Sequence, residues 1–269
     1  MRNGPMIEVF NLTKRYAGHT AIERLSFTVG RGEIVGFLGP NGAGKSTTIK
    51  MLTTLQHPTE GALFLAGNNV STAQDAARKT FGIVFQDPSL DDELTANENM
   101  QLHAALYNLD KKLAKERTAE LLNLVELWDR KDSRVKTFSG GMKRRLEIAR
   151  GLLHHPKILF LDEPTLGLDA QTRNLLWNYI QKLNEQEEMT IFFTTHYLGE
   201  AEAIAHRIAI IDHGKLVAMG NIEELKQQTE ADSLETAYLA LTGKGVRDES
   251  LGTGDARKDI YRRIIANRR

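Results

Sequence analysis

Apolar and polar residues alternate in two stretches near the start of the chain. Ile7, Val9 and Leu12 follow one such pattern, and Leu25 and Val29 belong to a second. Alternation of this kind is typical of β-strands with one buried face. Further strands are predicted at short apolar runs, which occupy residues 33–38, 62–66, 83–85, 157–161, 190–194, 208–212 and 215–219. The last two runs flank a His-Gly pair and predict a hairpin.

Helical periodicity separates many of these runs. It predicts helices at residues 45–55, 173–186 and 234–241, and an amphipathic helix between residues 113 and 125. Residues 88–156 contain few β-branched residues, and we interpret them as a helical subdomain inserted in an α/β core. Strands separated by helices favour a parallel or mixed sheet covered on both faces. The predicted fold is therefore α/β, with a mixed sheet, an antiparallel β subdomain and an inserted helical subdomain.

Composition narrows the class of protein. The 269 residues are 41% hydrophobic and 26% charged, as is typical of a folded globular chain. Basic and acidic residues number 35 each, so the net charge of zero gives no reason to expect a nucleic-acid partner. The absence of cysteine excludes disulfides and thiolate metal sites and fits a reducing cytoplasm. No apolar stretch approaches the roughly 20 residues that cross a bilayer, and the N-terminus lacks the apolar region of a secretory signal. Any membrane spans would have to come from another chain.

The segment between the strand at 33–38 and the helix at 45–55 matches the pattern G-x-x-x-x-G-K-[ST]. Glycines in such a loop let backbone N–H groups turn towards phosphate oxygens, and the helix adds the positive end of its dipole. Lys45 can reach the β- and γ-phosphates of a nucleotide, and the Ser46 hydroxyl can bind Mg²⁺. The alternative is a glycine-rich turn with a surface lysine. We predict a P-loop NTPase core, with these residues at the phosphates: Gly39, Asn41, Gly42, Gly44, Lys45, Ser46 and Thr47.

Two carboxylates directly follow the apolar run at 157–161. A buried strand would deliver both to its carboxyl end, where ligands bind in open α/β folds. Asp162 is then placed to hold Mg²⁺ through water, and Glu163 is placed to orient and polarise the attacking water. The alternative is an ordinary strand that ends in a charged turn. The P-loop upstream favours the chemical interpretation.

A Ser-Gly-Gly triplet at residues 139–141 opens a helix and offers a second anion-binding site. A P-loop protein already has one phosphate site, so the second requires an explanation. The combination resembles the family of ABC ATPases, whose signature motif begins with Ser-Gly-Gly. In that family two subunits pack head to tail, and the signature of one caps the ATP held by the other. The resemblance implies that Ser139, Gly140 and Gly141 contact ATP across a dimer interface, and that ATP and Mg²⁺ are the ligands.

Further motifs in the family's order extend the resemblance over residues 6–220. Tyr16 matches the aromatic residue that stacks on adenine, and Gln86 matches the Q-loop residue that touches Mg²⁺ or the attacking water. Asp169 matches the D-loop at the subunit interface, and His196 matches the switch histidine that contacts the γ-phosphate. The alternatives are a packing tyrosine, a surface glutamine and a structural histidine. The resemblance assigns catalysis to Glu163, His196, Gln86 and Lys45, and Mg²⁺ binding to Ser46, Gln86 and Asp162.

Segments at residues 85–90, 94–99, 166–170 and 233–243 resemble one branch of the family, the ATPases of drug-resistance-type bacterial exporters. Gly199 departs from the pattern, because an acidic residue is common there. The resemblance implies an ATP-hydrolysing subunit at the cytoplasmic face of the cell membrane. Its implied partners are a separate multi-span permease and a second ATPase subunit, as in a homodimer.

The predicted ATPase domain covers residues 1–220, and residues 221–269 form a partly helical C-terminal extension. Residues 243–254 are rich in glycine and charge and predict a linker. The end beyond residue 254 is basic. It is either a solvated tail or a contact for anionic lipid headgroups.

Two other functions stay open at this point. The first is a soluble ABC ATPase that serves translation, cluster assembly or DNA maintenance. Translation factors of the family usually carry two ATPase cores and the DNA-associated members carry long coiled coils, and neither feature is present in this sequence. The second is a regulator without catalysis, which is disfavoured because Lys45, Asp162, Glu163 and His196 are all present.

Overall fold

A computed structural model describes residues 4–243 of the chain. Its strands are β1 Ile7–Tyr16, β2 His19–Val29, β3 Ile34–Leu38, β4 Glu60–Leu65, β5 Asn68–Asn69, β6 Phe81–Val84, β7 Ile158–Asp162, β8 Thr190–Thr195, β9 Arg207–Asp212 and β10 Lys215–Gly220. Its α-helices are α1 Lys45–Leu52, α2 Gln74–Arg78, α3 Ala96–Leu106, α4 Lys111–Leu124, α5 Gly140–Leu152, α6 Ala170–Glu187, α7 Leu198–Ile204, α8 Ile222–Thr229 and α9 Leu234–Thr242. The linker from residue 244 onwards and the basic end lie outside the described residues and stay predictions.

These strands form two sheets. The larger sheet has the order β10-β9-β3-β8-β7-β6, and all its pairs are parallel except β10 with β9. The smaller sheet, β2-β1-β4-β5, is antiparallel throughout. The predicted α/β fold with a mixed sheet and an antiparallel β part is therefore confirmed.

Both faces of the larger sheet are buried, which explains its uninterrupted apolar runs. Along β7, Ile158 and Phe160 pack into a core shared with α1 and the smaller sheet. Leu159 and Leu161 point the other way, into a second core formed with helices that include α3, α5 and α6. Burying one such side chain contributes about 1.5–3 kcal/mol. The strand position is therefore strongly fixed, and with it the position of the carboxylates at its end.

The order β3-β8-β7 brings three loops to one edge of the larger sheet. Leu38 at the end of β3 is opposite Thr195 on β8. Asp162 at the end of β7 is opposite Thr194 on the same strand. The strands are parallel, so the loops that follow them emerge side by side. These loops carry the glycine-rich segment, the acidic pair and His196.

Helices α3, α4 and α5 pack on one another, and α5 also packs on β6. The approach to β6 is close: a Cβ atom on Gly82 would lie 2.2 Å from the carbonyl oxygen of Gly151 on α5. Helix α5 therefore joins the helical region to the larger sheet. The division into an ATPase domain, a helical subdomain at 88–156 and a C-terminal extension stays a prediction.

Some elements differ from the sequence-based expectation. Helix α1 ends at Leu52 rather than residue 55, because Thr54 has a positive φ of 64° that breaks the helix. Helix α8 was not predicted, although Asn221 and Glu224 form a capping box at its start. The hairpin β9–β10 and helix α9 are confirmed. Within residues 4–243, no helix combines the length and apolar character needed to cross a bilayer.

Candidate active site

A cleft of about 600 Å³ opens at this edge of the larger sheet. Its lining collects residues that are up to 180 positions apart in the chain. Most of the residues with a predicted role are among them: Tyr16, Asn41, Gly42, Gly44, Lys45, Ser46, Thr47, Gln86, Glu163 and His196.

The glycine-rich loop takes a backbone shape that most side chains would prevent. Gly42 and Gly44 have φ values of 82° and 107°. A Cβ atom on Gly44 would also lie 2.5 Å from the Cδ1 atom of Ile22. Gly44 is the N-cap of α1, so no side chain competes for the first N–H groups of that helix. This end of the helix can therefore receive an anion.

Lys45 is folded back across the loop. Its ammonium donates hydrogen bonds to the carbonyl oxygens of Gly39 and Pro40, at 2.9 and 3.3 Å. The same atom lies 3.3 Å from Glu163 Oε1. Only 5% of Lys45 is exposed. The ammonium is thus held at the floor of the cleft, where phosphate oxygens can take the place of the two carbonyls.

The two carboxylates after β7 lie in different surroundings. The buried Asp162 accepts a 2.6 Å hydrogen bond from the Thr194 hydroxyl, and that hydroxyl accepts one from the Glu163 backbone N–H. Burial raises the pKa of the Asp162 carboxyl, against hydrogen bonds from Thr194 and Ser46. Glu163 has a positive φ of 45°, which is uncommon for a residue other than glycine. The neighbouring imidazole of His196 and then the charge of Lys45 lower the pKa of the Glu163 carboxyl.

His196 follows β8 and completes this arrangement. Its Nδ1 atom lies 3.2 Å from Glu163 Oε2, although the two groups are not aligned for a hydrogen bond. The imidazole packs on the ring of Tyr197, with 4.0 Å between centroids. Gln86 is exposed and lines the same cleft from the start of the loop after β6. A base, a cation and an imidazole therefore meet in one partly closed space.

Tyr16 lies at the mouth of the cleft with 44% of its surface exposed. Its hydroxyl donates a 2.5 Å hydrogen bond to Gln56 Oε1. The ammonium of Lys14 lies 5.2 Å from the ring centroid. The exposed ring is thus held in place, and its free face can stack on a flat ligand.

Six predicted residues lie outside the lining of this cleft: Gly39, Ser139, Gly140, Gly141, Asp162 and Asp169. Ser139 is exposed and caps α5 by accepting a hydrogen bond from the Met142 N–H at 3.2 Å. Asp169 is exposed and caps α6 in the same way, from Thr172. Gly39 is buried under the loop and meets Lys45 through its carbonyl.

Arg144 is a buried residue that the sequence analysis missed. Its guanidinium donates to the carbonyl oxygens of Phe85, Asp162, Glu163 and Pro164. It also pairs with Glu147 at 3.1 Å. The signal in the sequence is an i,i+3 pair of opposite charges in phase with the apolar positions of α5. Arg144 ties that helix to the acidic strand end and to the loop that carries Gln86.

A further buried carboxylate, Glu200 on α7, connects the loop after β7 with the end of β8. Glu200 accepts hydrogen bonds from the hydroxyls of Thr165 and Thr195, at 2.5 and 2.8 Å. Thr165 follows the acidic pair, and Thr195 precedes His196. Sequence reasoning missed Glu200 because a glutamate in a short helix is usually exposed. His19, Ala21 and Leu166 were also missed, although they line the cleft.

Known proteins are similar to this chain in sequence and in fold. Residues 22–166 match the family model described as ABC transporter. The chain is 42% identical over 228 residues to the daunorubicin/doxorubicin resistance ATP-binding protein DrrA of Streptomyces peucetius, covering 85% of this chain and 69% of DrrA. It is 40% identical over 221 residues to the Nod factor export ATP-binding protein I of Ralstonia nicotianae, covering 82% of this chain and 68% of that protein. It also resembles the dimeric structure of the ATP-binding cassette MJ0796 bound to ADP and Pi, at a TM-score of 0.73 and 29% identity, over 80% of this chain and 98% of that chain.

The mostly parallel sheet, the glycine-rich loop and the acidic strand end define a P-loop nucleotide hydrolase. The chain belongs to the ABC transporter family. Within that family it is an ATP-binding subunit, and it hydrolyses ATP to ADP and phosphate.

Proposed function

We propose that this chain powers export through a separate membrane permease at the cytoplasmic face of the cell membrane. The names of the two relatives support export, since one carries resistance to a drug and the other exports Nod factor. The observation that carries the proposal is the cleft in which Lys45, Glu163 and His196 meet. Its side chains come from one chain, whereas Ser139 and Gly140 are exposed and can meet a second copy.

In this proposal, Lys45 exchanges its bonds to Gly39 and Pro40 for bonds to the β- and γ-phosphates. The backbone N–H groups of the glycine-rich loop surround the same phosphates, and the exposed ring of Tyr16 stacks on the adenine. The donors also fit Mg²⁺, because the Ser46 hydroxyl and the Asp162 carboxylate lie together and hard oxygen ligands suit this ion. Bound there, Mg²⁺ would neutralise charge on the phosphates.

Glu163 positions and polarises the water that attacks the γ-phosphorus. The carboxylate is ionised at neutral pH, where contact with His196 and Lys45 lowers its pKa. The bond from the γ-phosphorus to the bridging oxygen breaks, which leaves ADP and phosphate. His196 holds the γ-phosphate on the other side of Glu163, and Gln86 reaches the water or Mg²⁺ from the mouth of the cleft.

Two copies bind two ATP molecules head to tail as a homodimer. The Ser139 hydroxyl and the backbone of Gly140 and Gly141 cap the ATP held by the second copy, and Asp169 lies at the same interface. Closure gains contacts with the γ-phosphate, and hydrolysis removes them. ATP therefore shifts an equilibrium between open and closed dimers through its different affinity for the two.

The helical region transmits this motion to the permease. Its surface supports that role, because Leu102 and Leu106 on α3 and Leu113 on α4 are 52%, 71% and 47% exposed. The connection to the ATP site runs through Arg144, which bonds to both the loop of Gln86 and the acidic strand end.

A tagged Glu163→Gln variant tests the proposal. We expect it to bind ATP and to stall as a closed dimer, because the general base is lost while the binding residues remain. When membranes of the native host are solubilised with ATP, a multi-span membrane protein should copurify with it. The matched control adds Lys45→Ala, which should remove the dependence on ATP. Recovery with a soluble partner alone would favour a soluble ABC ATPase, and normal turnover by Glu163→Gln would contradict the role of Glu163.

A further inference from the structure

The two glycines of the Ser-Gly-Gly segment have different surroundings within their own chain. A Cβ atom on Gly140 would meet nothing within 4 Å. A Cβ atom on Gly141 would lie 2.5 Å from the Cγ2 methyl of Thr172, on the first turn of α6. Folded proteins essentially never show so short a carbon–carbon contact. The start of α5 therefore lies directly on Thr172, and only glycine permits this approach.

Thr172 is itself fixed by Asp169. Its backbone N–H donates to Asp169 Oδ1 at 2.9 Å, and its hydroxyl donates to Asp169 Oδ2 at 2.8 Å. A β-branched side chain has few χ1 rotamers. Turning the methyl away from Gly141 would move the hydroxyl and break its bond to Asp169. Gly141, Thr172 and Asp169 therefore form a short, stiff connection between α5 and α6.

We propose that Gly141 is a positioning residue that sets the spacing between the Ser139–Gly140 backbone and Asp169 within one chain. The inference rests on the proposed function, in which both segments meet the ATP site of a second copy. Because the connection is stiff, the two segments reach that site together when the dimer closes. Position 141 then requires glycine because of Thr172 in the same chain. This requirement is separate from any contact that the Gly141 backbone makes with ATP.

Two substitutions distinguish a requirement for glycine that comes from Thr172 from one that comes from contact with ATP. In Gly141→Ala the new methyl clashes with Thr172, and relief requires α5 to shift or the Thr172–Asp169 bond to break. Thr172→Ser removes the clashing Cγ2 atom and keeps the hydroxyl for Asp169. The nearest Thr172 atoms would then be Oγ1 at 3.4 Å and Cβ at 3.5 Å, which are ordinary contacts. A double-mutant cycle therefore measures the connection itself.

The measurements are kcat for ATP hydrolysis and, in the Glu163→Gln background, the ATP concentration that gives half-maximal dimer. We expect Gly141→Ala to reduce kcat about tenfold and to raise that concentration by a similar factor, because relief of the overpacked contact displaces the Ser139–Gly140 backbone or Asp169. In the double variant Gly141→Ala with Thr172→Ser, kcat and the ATP concentration for half-maximal dimer should both lie within about threefold of the values for Thr172→Ser alone. The ATP affinity of the monomer should stay near the wild-type value, because Gly141 lies outside the cleft.

Gly140→Ala is the matched control, since no atom of Thr172 lies near that position. Thr172→Ser should change kcat and the ATP concentration for half-maximal dimer by the same factor in the Gly140→Ala variant as in the wild type. If Gly141→Ala is harmless, or if Thr172→Ser fails to rescue it, Gly141 does not act through Thr172 and the inference is wrong. Failure of the proposed function looks different: the Glu163→Gln parent would then form no ATP-dependent dimer at all.

Discussion

Lys45 and His196 both contact Glu163 at the floor of the cleft, whereas Ser139 and Gly140 are exposed at the start of α5. The floor is assembled from residues of a single chain. The Ser139 hydroxyl accepts a hydrogen bond from the Met142 N–H and the Ser139 carbonyl accepts one from the Lys143 N–H, so both bonds are made within its own helix. Both parts belong to the proposed ATP site, but only one is complete within a single chain.

This difference separates binding from turnover. Groups that are already in place lose little free energy to reorganisation when the ligand binds. A single chain should therefore bind ATP through the floor of the cleft. The second part acts only when another copy supplies it, so it should control hydrolysis and dimer formation. Substitutions in the two parts are expected to change different measurements.

The largest effect is expected for Lys45→Ala. A hydrogen bond to a charged group is worth about 1.5–3 kcal/mol, so the dissociation constant for ATP should rise roughly 100-fold. Titration of the monomer with a fluorescent ATP analogue measures it. Lys50→Ala is the matched control, because Lys50 is exposed on the same helix. An equal loss in both variants would mean that Lys45 acts only through the net charge of α1.

A smaller and different effect is expected for Ser139→Asp. Aspartate is also a good N-cap, so α5 keeps its cap, but a negative charge now faces the phosphates of the second copy. We expect kcat to fall roughly tenfold or more while the monomer binds ATP normally. Ser233→Asp changes the N-cap of α9 in the same way and serves as the control. Weaker ATP binding by the Ser139→Asp monomer would contradict the proposed division between the two parts.

The sequence predicted the residues of the site better than the contacts that hold them. The family resemblance predicted His196. Motif spacing predicted Lys45 and Glu163, because each directly follows or begins an element whose pattern is clear. It could not identify Arg144, Thr194 or Glu200, whose roles depend on which loops the strand order brings together. Nor could it show that Gly141 meets Thr172, since no pattern links residues on two separate helices. Spacing indicates the residues at the cleft, and packing determines what holds them there.

Arg144 connects the two parts and gives an intermediate test. Arg144→Lys replaces a planar group that bonds to several carbonyls with a single ammonium. The loss of about 1 kcal/mol of hydrogen bonding should lower kcat roughly fivefold, with little change in monomer ATP binding. Arg145→Lys is the control, because Arg145 bonds to Val125 and Glu126 outside the site. If both variants lose activity equally, the effect is a general property of α5.

The smallest effects concern the stability of the floor itself. Burial raises the pKa of Asp162, so its charge destabilises the fold at neutral pH, and this cost disappears below its ordinary pKa of about 3.9. The contact with His196 and the charge of Lys45 lower the pKa of Glu163, so its charge stabilises the fold at neutral pH. That contribution is lost as the pH falls through the lowered value.

At pH 7, without nucleotide or Mg²⁺, Asp162→Asn should raise the melting temperature and Glu163→Gln should lower it. Calorimetry between pH 4 and 8 should show both differences shrink towards the acid end. Shifts of the same sign at pH 7 would mean that these adjacent carboxylates are not held in opposite surroundings, and the floor would then not be preorganised by charge.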